Sequence, residues 1–172
     1  FLILLVLFAL VLRRAGRFIA ATRDAERFRR QAGDLGTRIE TSLSQICERV
    51  DAVRRGQLGP DLLADDIVAS LDAVSRYGEE ARALRPPPEG VRIREDMVAE
   101  LERAGRALQM VEHGRAIQAS ARSGGREIEA QTAIKRGYLN VLHAREAISH
   151  QAKLARDLAA TDATGRFQQR RV

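Results

Sequence analysis

Apolar residues recur at intervals of three and four along almost all of this 172-residue chain, and three clusters of helix-breaking residues interrupt the rhythm. Such spacing gathers side chains into one stripe only on an α-helix, because a strand would scatter them over both faces. Phe28, Leu35, Ile39, Leu43, Ile46, Val50 and Val53 fall on one side of a first helix, 13–55, which continues from the N-terminal segment. Leu63, Ile67, Leu71, Val74, Tyr77 and Leu84 mark a second over 61–84. Ile93, Met97, Leu101, Ala104, Leu108 and Val111 mark a third over 92–122. Ile134, Tyr138, Val141, Leu142, Ile148, Ala152, Ala155 and Ala159 mark a fourth over 126–163.

The breakers place the connections. Gly56, Gly59 and Pro60 end the first helix, and Pro60 with Asp61, Asp65 and Asp66 suits the start of the second, where proline fits the first turn and acids face the positive helix end. Arg85-Pro86-Pro87-Pro88-Glu89-Gly90 withholds three amide hydrogens in a row and stops the second helix. Ser123-Gly124-Gly125 separates the third from the fourth; were the helix to pass through it, residues 92–163 would form one rod about 108 Å long. Aromatics are 4% of the chain and tryptophan is absent, a composition ill-suited to sheets. Short connections make neighbouring helices antiparallel. The fold expected is all-α: an N-terminal transmembrane helix continuing into an up-and-down antiparallel four-helix bundle over 13–163, with coiled-coil-like seams and a basic tail, 164–172.

Residues 1–12, FLILLVLFALVL, hold no polar side chain, and Arg13, Arg14 and Arg17 follow at once. Twelve helical residues cover about 18 Å, whereas a bilayer core of about 30 Å takes about 20. The segment reads as the C-terminal part of a transmembrane helix, with Leu2, Leu5, Phe8 and Leu12 as anchor residues and further apolar residues upstream. A secretory signal carries its positive charge before the apolar run, not after it. Arginines flanking a span stay cytoplasmic, so the expected location is a bacterial inner membrane with the bundle facing the cytoplasm. The bacterial source follows from arginine usage: lysine supplies two of the 29 basic residues, as GC-rich codon usage produces.

The net charge of +6 is unevenly spread. Residues 1–58 carry eleven basic and six acidic groups, residues 59–91 three and seven, and residues 124–172 nine and five. Arginine alternates with Glu and Asp at helical spacing, which describes solvated helix faces and not the continuous basic stripe of a nucleic-acid binder. No nucleic-acid partner is expected. Arg170 and Arg171 in the tail would return to the bilayer surface beside Arg13, Arg14 and Arg17 if the fourth helix runs back along the first.

Catalytic and metal patterns are weak. His143, Glu146 and His150 share one side of the fourth helix, yet a di-metal bundle needs Glu-x-x-His on two helices, and this chain has one reversed copy; a surface ion pair of Glu146 with His150 accounts for the spacing. Cys47 is the sole cysteine and sits in an apolar stripe as an inert thiol. No phosphate loop or activated nucleophile is present, so neither an enzyme nor a cofactor is implied. The expected role is a non-catalytic membrane-anchored scaffold or accessory subunit, with other membrane-protein subunits or further copies of itself, and membrane lipid, as partners. The alternative is a sensory or ligand-binding bundle. Judged by helix lengths, the second helix reaches only the level of Asp34. Phe18, Ile19 and Phe28 are then uncovered on the stem, Phe18 for lipid and Phe28 for a partner.

Overall fold

The computed structural model describes the backbone of residues 2–120 and 125–168, and the side chains of residue 13 and of residues 22–120 and 125–158. Within them the chain forms four α-helices and no strand: α1 (Leu2–Arg54), α2 (Ala64–Ala83), α3 (Val91–Ser120) and α4 (Glu127–Gln168). Short 3-10 turns, Pro60–Leu63 and Pro88–Gly90, lead into α2 and α3.

Each boundary has a local cause. α1 ends at Gly56, whose φ of 71° is open to glycine at little cost. Its amide donates to the Val53 carbonyl at 3.0 Å and that of Gln57 to Ala52 at 2.8 Å, the paired bonds of a Schellman cap. Pro60 opens the next turn without a missing donor, and Asp61, Asp65 and Asp66 follow near the positive end of the helix. α2 stops where Leu84 turns extended ahead of the prolines.

Cross-helix contacts fix the direction of every neighbour. Arg38 pairs with Glu80 and Arg49 with Asp66, so α1 and α2 are antiparallel. On α2 and α3, Arg82 meets Glu102 while the Gly105 position faces Val74. On α3 and α4, Gly114 lies against Ala130 and Ile134, and Asp96 accepts from Gln151. On α1 and α4, Ser44 accepts from Arg145 and Gly36 lies against Ala152. The result is an up-and-down square of helices.

A single apolar core runs through it. Leu35, Ile39, Leu43, Ile46 and Val50 of α1 are buried with Leu63, Ile67, Met97, Leu101, Leu108, Val111, Val141 and Ile148. Leu71, Tyr77, Tyr138 and Leu142 are half-buried against it. At three points, on two of the seams, the helices come unusually close. A Cβ at Gly36 would stand 2.3 Å from that of Ala152, and one at Gly137 would stand 2.8 Å from the Ala107 carbonyl oxygen. A Cβ at Gly114 would stand 2.8 Å from the Ala130 carbonyl oxygen.

Phe28 corrects one expectation. It is 1% exposed and belongs to the core, not to an open docking surface. Helix length alone placed the lower end of the bundle near Asp34. The connection between α2 and α3 instead folds over α1, and a Cβ at Gly90 would come within 2.8 Å of the Phe28 ring. Pro87 and Pro86 stand 3.1 and 3.2 Å from the same Cβ position, so the connection around Gly90 closes over a residue read as uncovered.

Candidate functional site

The residues expected to carry function lie on the N-terminal stem of α1 and on the tail. Leu2, Leu5, Phe8 and Leu12 fall within the α1 backbone, which is helical without a break from Leu2 to Arg54; their side chains lie outside the described residues. The same holds for the side chains of Arg14, Arg17, Phe18 and Ile19, while Arg170 and Arg171 lie outside the described residues altogether. Arg13 is exposed. No helix among the described residues is long and apolar enough to cross a membrane.

Above Arg13 the stem stays basic. Seven arginines and two acids occupy residues 13–30, and Arg23, Arg27 and Arg30 are exposed. Asp24 lies 3.6 Å from Arg27, and Glu26 lies 2.9 Å from Arg29 and 3.8 Å from Arg30, so the acids are engaged within the helix itself. Arg23, Arg27 and Arg30 extend the basic collar beyond the first cluster, at sequence spacings of four and three. Distance separates two groups. Arg14 and Arg17 are within about 8 Å of Leu12 along the axis, one Debye length at physiological salt. Arg23, Arg27 and Arg30 are about 16–27 Å away. A charge that far from an anionic surface is screened.

The other singled-out side chains are apart from one another. His143, Glu146 and His150 are exposed on α4, and no ion pair joins Glu146 to His150. Among the described residues no three His, Cys, Asp or Glu side chains gather as a metal site would require. Cys47 is 4% exposed, and burial pushes its thiol up to about 11, against a smaller pull from Arg145. Glu112 is held below the usual carboxylate range by a hydrogen bond from Arg115, whose Nε lies 2.8 Å from Oε2. Glu100 Oε2 lies 3.3 Å from Arg103 Nη1, an ion pair without hydrogen-bond geometry.

Sequence reasoning missed Arg156. From α4 its Nη2 donates to the Gly33 carbonyl oxygen at 3.2 Å and to Thr37 Oγ1 at 3.1 Å, tying α4 to α1 at the lower end of the bundle. Only the register of the two helices could have revealed it. Comparison of the chain with protein-family models, curated proteins and solved structures returns no match.

Proposed function

We propose that the protein is a non-catalytic, membrane-anchored helical scaffold, an accessory subunit that holds partners at a fixed distance from a bilayer. The anchor in this reading is the apolar segment 1–12, the C-terminal part of a transmembrane helix, with Arg13, Arg14 and Arg17 at the headgroups. The bundle then faces the cytoplasm at a bacterial inner membrane. One observation supports the reading above others: α1 is a single helix from Leu2 to Arg54. Apolar segment, basic collar and core stripe therefore share one rod of about 80 Å, and no hinge within it decouples the bundle from the anchor.

The partners in this reading are other membrane-protein subunits or a second copy of the chain, together with lipid. The stem carries the contact through its upper arginines with Ile19, Phe18 meets lipid, and Phe28 is withdrawn into the core. Flotation on vesicles containing anionic lipid tests the anchor. The full chain should rise with the vesicles, and a variant lacking residues 1–12 should remain at the bottom with its bundle still folded. A truncated chain that floats as well as the full one would overturn the anchoring role of that segment.

A further inference from the structure

Three clefts of about 360, 310 and 190 Å³ border α2. The first lies between α2 and α3, lined by Arg82, Arg94, Val98 and Glu102. The other two open the seam between α1 and α2, one beside Leu35, Arg38 and Glu80, the other beside Ser42, Ile46, Asp66 and Ser70. Across that seam the pairs named are solvent-exposed: Arg38 with Glu80, and Arg49 with Asp66 at 2.7 Å. Such pairs add little to stability and are weakened by salt.

The remaining seams differ in kind. α1 meets α4 at Gly36 and Ala152, and α3 meets α4 at Gly114 with Ala130 and at Gly137 with Ala107, all at backbone-limited separations. α2 buries Ile67, Val74, Gly78 and Ala81 along its length. α3 buries nine residues, Met97, Leu101, Leu108 and Ile117 among them. Both ends of α2 are joined by breakers, Gly56 to Pro60 on one side and Pro86 to Pro88 on the other. Elements with few buried apolar groups open first, and breakers at both ends let one open without unwinding its neighbours.

We propose that α2 is a releasable strap: it detaches and unwinds as a unit from a pre-packed core of α1, α3 and α4, uncovering the face formed by Leu35, Ile46 and Gly105. The inference does not depend on membrane anchoring. Gly78 supplies the test. It lies in the middle of α2, and a Cβ added there would meet only Arg82 Nη1 at 3.6 Å, ordinary contact. Gly78→Ala therefore gains helix propensity without displacing a neighbour, enough to slow an α2-only opening about four- to fivefold.

Amide hydrogen exchange on the full chain in detergent micelles, under conditions where closing outruns exchange, reads each helix separately. In the unmodified protein, amides of residues 67–81 should exchange at least about tenfold faster than those of 35–50, 97–114 and 134–152. The gap should widen when salt is raised. Gly78→Ala should slow residues 67–81 and leave the other three helices unchanged. Equal protection in all four helices of the unmodified protein would overturn the proposal. So would a Gly78→Ala variant that slows all four alike, since that marks opening of the bundle as a whole.

Discussion

Gly137→Ala ought to destabilise the bundle although alanine is the better helix former. The substitution gains about 1 kcal/mol of intrinsic propensity at a helix interior. Against that, the new methyl would lie 2.6 Å from Val111 Cγ2, 2.8 Å from the Ala107 carbonyl oxygen and 3.0 Å from the Val111 amide nitrogen. Two of those atoms are backbone, so a rotamer change cannot clear them, and α3 and α4 must separate by about 0.5–0.7 Å to reach ordinary contact near 3.5 Å. A gap of that size forfeits a quarter to a half of the dispersion energy of each contact it stretches. The seam it opens is lined by Ala104, Val111, Ile134 and Val141, all buried. Overpacking of this kind costs about 1–3 kcal/mol, and a rigid obstacle puts the case toward the upper end. The net loss is then about 1–2 kcal/mol, or roughly 2–8 °C in Tm for a chain of this size. Thermal unfolding followed by circular dichroism reads it directly. A Gly137→Ala protein that melts higher than the parent would refute the close approach of α3 to α4 at this point.

Phe28→Ala should cost about 3–5 kcal/mol in urea unfolding, as a buried aromatic packed at Gly90, whereas Leu62→Ala, at a side chain 64% exposed, should stay within about 0.5 kcal/mol; equal midpoint shifts would remove Phe28 from the core. Cys47 should resist thiol reagents in the native protein and react at once in denaturant. Its folded thiol ionises near 11 against 9.0 for an ordinary one, so the unfolded chain sheds that proton first and stability falls as pH rises from 9 to 11. Cys47→Ala should flatten that part of the stability curve; an unchanged slope would mean that Cys47 is not desolvated.

Much of the helical pattern was legible because burial on a helix is periodic. Leu35, Ile39, Leu43, Ile46 and Val50, read as one stripe, are all buried, and so are Ile93, Met97, Leu101, Ala104, Leu108 and Val111. Gly56 and the three prolines mark the ends because their backbone chemistry allows little else. What stayed hidden depends on a partner across space. Gly36, Gly114 and Gly137 offer no side chain to a stripe, yet in the bundle they let backbones approach where a methyl would collide. Phe28 belonged to the stripe but was placed beyond the bundle, because helix lengths take no account of a connection that folds back over the first helix. Arg156 looked like one more solvated charge until the register of α1 and α4 set it against Gly33 and Thr37. For the stem, apolar content and charge order were readable, while the surface that meets it is a property of another molecule.

The claim that this bundle is a scaffold is tested most directly by its size after gentle extraction from membranes. Solubilised in a mild detergent and resolved by native mass measurement, the 19.1 kDa chain should run within an assembly that contains other polypeptides or further copies of itself. Neutralising the upper collar together, with Arg23, Arg27 and Arg30 all changed to Gln, should release it as a folded single chain. A parent protein that leaves the membrane as a lone monomer, under conditions that keep neighbouring complexes intact, would contradict the scaffold reading.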